Sequence, residues 1–329
     1  MSKILVKWVR DLHVAVTGGA GFIGSHLVDR LVELGYIVRV IDNLSSGSIE
    51  NIKHHLKSKN IEFVNIDIKN FEELRKALRD VEVVFHYAAN PEVRVSTTSP
   101  DIHFRENIVA TFNVLEASRT GSVREVVFAS SSTVYGETTG DPLAEDAPLK
   151  PVSVYGASKA SCEVLLHAYS VLYGLKAVIL RYANIVGPRL RHGVIYDLLI
   201  KLTRNKSELE VLGDGEQVRS YLHVEDAVEA TLLAWRRVRD HYSVLNVGNV
   251  DCITVKDLVS IILREIGLTN VRVVYKPVLH GVGWPGDIKR IVLDVKKIMS
   301  LGWKPKMSSR EAVSDTARQL IRELNLKFT

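Results

Sequence analysis

Residues 13–24 read His-Val-Ala-Val-Thr-Gly-Gly-Ala-Gly-Phe-Ile-Gly, placing Gly18, Gly21 and Gly24 in a GxxGxxG spacing between an apolar run and an amphipathic stretch. Few folds accept that pattern. Glycine is needed where a strand-to-helix turn is tight, where backbone approaches a pyrophosphate, and where the helix packs close to the strand. The first helical turn, with Phe22 and Ile23, then offers N–H groups and a positive dipole to the phosphates. Ile23, Leu27, Leu31 and Leu34 share one face before Gly35 stops the helix. Short runs at His13–Val16, Val38–Ile41, Glu62–Ile66, Val83–Phe85, Val126–Phe128 and Ala177–Leu180 read as buried strands. A second helical stripe comprises Phe104, Ile108, Phe112 and Leu115. Strands alternating with helices imply an α/β fold, a Rossmann-like doubly wound parallel sheet.

Beyond residue 182 the rhythm changes. Turn residues cluster at Gly187-Pro188, Gly213-Asp214-Gly215 and Gly281 to Gly286, and helices are expected at Tyr196–Thr203, Val224–Val238, Val255–Ile266 and Ser309–Leu324. The expected division is a dinucleotide-binding domain over 1–180, with 1–11 an extension, and a smaller α/β substrate-binding domain over 181–329. Some segments of the second are expected to return to the first.

Asp42 ends the second strand 24 residues after Gly18. An acidic side chain there accepts hydrogen bonds from the adenosine ribose and repels a 2′-phosphate, so NAD is expected rather than NADP. Asn43 adjoins it. Asp67-Ile68, at the end of the third strand, either meets the adenine edge or begins the next helix as its N-cap. Ala88-Ala89 ends the fourth strand with small side chains that let a cofactor lie across the sheet edge, or that simply pack. The apolar runs fall short of the roughly 20 residues of a membrane span. Cys162 and Cys252 have no ligand-like spacing, so neither a metal site nor a disulfide framework is expected. A cytoplasmic protein is the default.

Tyr155-Gly-Ala-Ser-Lys159 sets a tyrosine and a lysine one helical turn apart. A free phenol has a pKa near 10, too high for a base at neutral pH. An adjacent ammonium, together with a cationic nicotinamide, should lower it. The cluster Ala129-Ser130-Ser131-Ser132-Thr133 follows the fifth strand, at the sheet edge where such folds bind ligands. Ser131 there can hydrogen-bond the substrate oxygen that the tyrosine deprotonates.

With these segments in view, the chain resembles the extended short-chain dehydrogenases/reductases that act on nucleotide sugars. It is most similar to their UDP-glucose (UDP-galactose) 4-epimerases. The similarity runs from about Leu12 onward through Thr17–Gly24, Val40–Ser46, His86–Ala89, Ser131–Gly136, Tyr155–Lys159, Arg181–Arg189, Gly213–Asp226 and Pro285–Asp287. It implies that Ser131 bonds the sugar O4, Tyr155 is the acid/base and Lys159 holds the nicotinamide ribose. Asn107 and Tyr182 would lie beside the cofactor, though a buried helix amide and a core tyrosine are alternatives. Ser96, Asn184, Arg219 and Asp287 would contact the substrate, with Arg219 on the diphosphate. Many relatives carry an arginine on that diphosphate where this chain has Trp284, which can stack on a base or pack.

The resemblance implies NAD-dependent epimerisation at C4 of a UDP-hexose through a 4-keto sugar. Epimerases of N-acetylated or uronic-acid sugars remain open. A dehydratase would need an Asp-Glu pair where Ser132-Thr133 stands. From other classes, a dehydrogenase of a small substrate and a non-catalytic NAD-sensing protein are the alternatives. Residues 1–170 hold 18 Lys+Arg against 21 Asp+Glu, a net of −3, and the rest hold 25 against 17, a net of +8. That basic half suits an anionic small-molecule partner or is a solvated face. Nucleic acid is not expected, because no lysine-rich tract with interleaved aromatics occurs. The resemblance also implies a homodimer through Ile102–Arg119 and Lys159–Gly174. Leu165, Leu166, Tyr169, Leu172 and Tyr173 cover more of a helix than one core-facing stripe needs, although all could be core.

Overall fold

The computed structural model describes residues 12–137 and 142–328. The first half runs β1 (His13–Thr17), α1 (Phe22–Glu33), β2 (Ile37–Ile41), β3 (Ile61–Val64), α2 (Phe71–Ala77), β4 (Val83–His86), α3 (Ala110–Thr120), β5 (Glu125–Ser131), α4 (Val154–Tyr173) and β6 (Lys176–Tyr182). The second continues with β7 (Asn184–Val186), α5 (Gly193–Arg204), β8 (Glu208–Leu212), β9 (Val218–Arg219), β10 (Tyr221–His223), α6 (Val224–Arg237), β11 (Tyr242–Val247), β12 (Ile253–Thr254), α7 (Val255–Glu265), β13 (Arg272–Lys276), α8 (Lys296–Ser300) and α9 (Ser309–Glu323).

Seven strands form one sheet in the order β11-β6-β5-β4-β1-β2-β3, every neighbouring pair parallel. The order reverses between β1 and β4, and a ligand crevice opens at the carboxyl ends of strands around such a reversal. One core packs α1 and α6 on one face through Leu27, Leu31, Val228 and Trp235. A second fills the other face beneath α2, α3 and α4 through Leu74, Leu115, Cys162 and Leu166. A third, separate core joins α5, α7 and α9 through Leu199, Ile262 and Leu320. From beyond residue 182, α6 packs on this sheet and β11 extends it. Among the described residues no helix is long and apolar enough to cross a membrane.

The stripe expected at Phe104, Ile108, Phe112 and Leu115 is corrected by the structure. Phe104 is 57% and Phe112 45% exposed. A π-helical stretch at Phe104–Val109 precedes α3, and its wider turn rotates the following residues out of simple α-helical phase. The buried face is instead His103, Asn107, Ala110, Thr111, Val114 and Leu115.

Candidate functional site

A cleft of about 1200 Å³ runs along the carboxyl edge of the sheet and into the second half. Its dinucleotide end begins at the glycine turn. Gly18 has φ +67°, and a Cβ on it would stand 2.7 Å from the Ala88 amide nitrogen. A Cβ on Gly24 would meet the Gly18 carbonyl at 2.2 Å. Side chains are therefore excluded at both positions. Gly21 caps α1 without a side-chain hydrogen bond, and Gly21, Phe22, Ile23 and Gly24 line the cleft. An uncapped helix N-terminus in a glycine cradle fits a pyrophosphate.

Asp42 follows the last residue of β2 and is buried, with Oδ2 accepting from the Ala20 N–H at 3.0 Å and Oδ1 from the Leu44 N–H at 2.8 Å. Burial raises its carboxyl pKa, and those two bonds oppose the rise. Each oxygen keeps a lone pair for a ribose hydroxyl. Asp42→Ala is expected to weaken NAD and to narrow its advantage over NADP. Loss of the Ala20 contact loosens the loop for both cofactors, so the ratio of the two titrated affinities isolates the charge. An unchanged ratio would remove Asp42 from the ribose site.

Asn43, Asp67, Ile68, Ala88 and Ala89 also line this end. Asn43 Nδ2 donates to Asp67 Oδ2 at 3.3 Å. The N-cap reading of Asp67 fails, because Asn70 itself caps α2, accepting from the Glu73 N–H.

Toward the middle, Ser131 at the end of β5 and Tyr155 in the first turn of α4 face each other within hydrogen-bond reach. Ser131 Oγ also accepts from Thr133 Oγ1 at 2.9 Å and from the Thr133 N–H at 3.2 Å. Lys159 is buried and donates from Nζ to the Ala129 carbonyl at 2.8 Å. Burial opposes the expected lowering of the phenol. Burial pushes Tyr155 up to about 12, with the Ser131 hydroxyl working in the opposite direction. Burial also pushes Lys159 down to about 8. The sequence pairing places the two groups correctly but leaves out the desolvation of both.

Two expected contacts fall outside the cleft wall. Asn107 is buried behind it, where Oδ1 accepts from the Asn90 N–H at 2.9 Å and Nδ2 donates to Ser158 Oγ at 2.9 Å. It anchors the loop after β4 and the start of α4. Ser96 Oγ accepts from the Tyr155 N–H at 3.1 Å, which fixes the first turn of α4. Tyr182 lines the cleft, yet its hydroxyl is tied inward to Tyr87 and to Thr231 Oγ1, each at 2.6 Å.

The far end is built by Asn184, Arg219, Trp284 and Asp287. Arg219 is not the free phosphate ligand expected. Nη1 donates to the carbonyls of Val218 at 2.9 Å and Lys289 at 3.2 Å, and Nη2 to Asp287 Oδ1 at 3.0 Å and to the Ile288 carbonyl. Four of its five N–H groups are thus engaged, three of them in holding the 283–289 loop, and only Nε–H remains. Trp284 has the opposite status, since its Nε1 is buried with no partner among the described residues.

Sequence reasoning missed a charged group opposite Trp284. Arg94 bonds Glu92 at 3.0 Å and Asp197 of α5 at 3.2 Å, and lies 5.9 Å from the Trp284 ring centroid. It also missed His103, whose buried ring packs edge-on against Tyr155 with centroids 5.6 Å apart. Nothing in local spacing marks either, because the partners come from distant segments.

Residues 14–248 match the model of the NAD dependent epimerase/dehydratase family. A crystal structure of a UDP-galactose 4-epimerase is 51% identical, with a TM-score of 0.85, covering 95% of this chain and 100% of that one. The UDP-glucose 4-epimerase of Thermotoga maritima, solved with UDP-glucose, is 36% identical with a TM-score of 0.85, covering 95% and 100%. A UDP-N-acetylglucosamine 4-epimerase from Methanobrevibacter ruminantium, solved with UDP-N-acetylmuramic acid, is 34% identical with a TM-score of 0.85, covering 95% and 99%.

Proposed function

The chain belongs to the NAD dependent epimerase/dehydratase family, and we propose that it interconverts UDP-galactose and UDP-glucose. The coarser activity, NAD-dependent 4-epimerisation of a nucleotide sugar, follows from its relatives. The observation that carries the reading is the meeting of Ser131 and Tyr155 in one cleft between the glycine cradle and Trp284.

NAD, held by the glycine cradle, Asp42 and Lys159, would supply reversible hydride chemistry at C4, and inversion requires the 4-keto sugar to present its other face before the hydride returns. The protein does the rest. Ser131 orients the sugar 4-oxygen and Tyr155 takes and returns its proton. Tyr155 lies at the amino end of α4, where the helix dipole favours its phenolate. Lys159 holds the cofactor ribose from the adjoining turn. Elimination across C5 and C6 needs a further acid and base, and the positions after Ser131 supply only the hydroxyls of Ser132 and Thr133. That disfavours a dehydratase.

The preference for a neutral hexose over N-acetylated or uronic sugars rests on the 51% identity to a UDP-galactose 4-epimerase. UDP-galactose added to purified protein with NAD, and the product sugar identified, tests it. UDP-N-acetylgalactosamine and UDP-galacturonate serve as competitors. Faster turnover of either competitor would overturn the hexose assignment.

We take the second half as the nucleotide-sugar-binding domain, with Asn184 and Asp287 in its wall, and assign the unpartnered indole N–H of Trp284 to a diphosphate oxygen. Trp284→Phe keeps a ring and loses the donor. A hydrogen bond to a charged acceptor contributes about 1.5–3 kcal/mol, so UDP is expected to bind at least tenfold more weakly in calorimetry. Unchanged affinity would make Trp284 a packing residue.

A homodimer completes the proposal. Phe104 just before α3, Phe112 on α3, and Val164, Val171, Leu172 and Tyr173 on α4 are exposed apolar side chains on the two segments the family resemblance points to. Leu172 is 69% exposed, and clusters of this kind mark interaction surfaces. Sedimentation is expected to give twice the chain mass of 36.7 kDa; a monomer at micromolar concentration would refute the dimer.

A further inference from the structure

Away from the cleft, three side chains converge on one point. Asp29 lies on α1, and His54 and His55 are consecutive in the short 3-10 turn Lys53–His55 after β2. Their Nε2 atoms stand 3.0 and 2.9 Å from the same oxygen, Asp29 Oδ1, with ring centroids 4.1 Å apart. Consecutive residues of a 3-10 turn project about 120° apart at three residues per turn, so local geometry does not bring these rings together. The common carboxylate does.

The separations suit shared coordination as well as hydrogen bonding. Bonds of about 2.0–2.1 Å at tetrahedral angles put ligand atoms roughly 3.3 Å from one another. The three ligand atoms here all lie within 4.8 Å of one another, so small side-chain adjustments admit an ion. The second carboxylate oxygen, Oδ2, is held by Arg189 Nη2 at 2.8 Å, as outer-shell donors hold ligating carboxylates. Arg189 is itself fixed by Ser25 Oγ at 3.0 Å and by its backbone N–H on Glu323.

We infer that Asp29, His54 and His55 form a binding site for a divalent transition metal of the zinc class. Two imidazoles with one carboxylate select such ions over magnesium or calcium, which prefer all-oxygen ligands. Half-exposed His54 leaves a fourth position to water or a small anion. The Arg189 charge opposes the cation, so affinity is moderate and the metal is exchangeable. Its consequence is mechanical. The same segment already wraps the glycine turn, through the Ser48 N–H at 3.0 Å and Asn51 Nδ2 at 2.8 Å on the Ala20 carbonyl. A metal would staple that wrap to α1 and stabilise the folded state by linkage.

The test uses tag-free, full-length, chelator-treated protein titrated with zinc chloride by calorimetry, alongside thermal unfolding. One equivalent is expected to bind, with a higher unfolding temperature in its presence. Loss of an outer-shell partner alone costs about 10- to 100-fold in metal affinity, so His54→Ala/His55→Ala is expected to lose at least tenfold and the thermal shift with it. Retained epimerisation shows that this variant is folded. His55→Ala alone is the milder control and is expected to weaken zinc in the same direction. No zinc binding by the wild-type protein overturns the site, as does equal binding by the folded double variant.

Discussion

Tyr155→Phe is expected to lower turnover by about 10²- to 10⁴-fold, the usual contribution of a positioned acid/base group, while NAD stays bound at the wild-type stoichiometry. The ring survives the change, and so does its edge-on packing against His103. Only the hydroxyl facing Ser131 is removed. The proposed reaction needs that oxygen twice, once to accept the 4-hydroxyl proton and once to return it. Burial holds the phenol near 12 in this structure, and the positive charge that NAD would bring is what would favour the phenolate this step needs. The measurement is kcat with UDP-galactose in protein whose bound NAD has been quantified. A kcat within a few-fold of wild type at full NAD occupancy would sink the mechanism. A fall in NAD occupancy that matches the fall in rate would move Tyr155 from catalysis to cofactor binding.

The largest expected effect on stability lies one turn beyond Lys159. Glu163 on α4 and Arg181 near the end of β6 are both almost fully buried. Arg181 donates from Nε to Glu163 Oε1 at 3.0 Å and from Nη2 to Oε2 at 2.6 Å. Nη1 donates to the Tyr135 hydroxyl and to the Glu145 carbonyl, each at 2.8 Å. Ser130 Oγ completes the set on Glu163 Oε1. This network ties the helix that carries Tyr155 and Lys159 to the strands that carry Ser131 and Tyr182. Arg181→Leu leaves a carboxylate buried without its cation and is expected to cost about 3–5 kcal/mol, read as a lower urea midpoint. Adding Glu163→Leu is expected to restore much of the loss, since replacing a whole buried pair by apolar groups is often neutral. A midpoint for Arg181→Leu close to wild type would show that Glu163 is already neutral or hydrated in the fold. Failure of the second change to compensate would assign the loss to Tyr135 and Glu145 instead.

Local pattern alone determined the architecture and picked out much of the cleft lining. Period-two and period-3.6 apolar runs, and glycines that no side chain could replace, report directly on sheet, helix and turn, because backbone sterics and burial act over a few residues. Gly18, Gly24, Asp42, Ser131, Tyr155 and Lys159 were legible for that reason: each sits at a strand end or in the first two turns of a helix, where the fold puts it in the cleft. What the tertiary structure decided is what depends on distant partners. The Arg219 guanidinium is occupied by Asp287 and three carbonyls. Asn107 and Ser96 become supports behind the wall, and Phe104 and Phe112 turn outward because a π-helical stretch precedes α3. The pKa of Tyr155 follows from burial, which no spacing encodes. Likewise, His54 and His55 are two ordinary residues until β2 and α1 bring Asp29 between them. Hydrogen-bond competition and desolvation are properties of assembled neighbours, and a linear sequence fixes those neighbours only by folding.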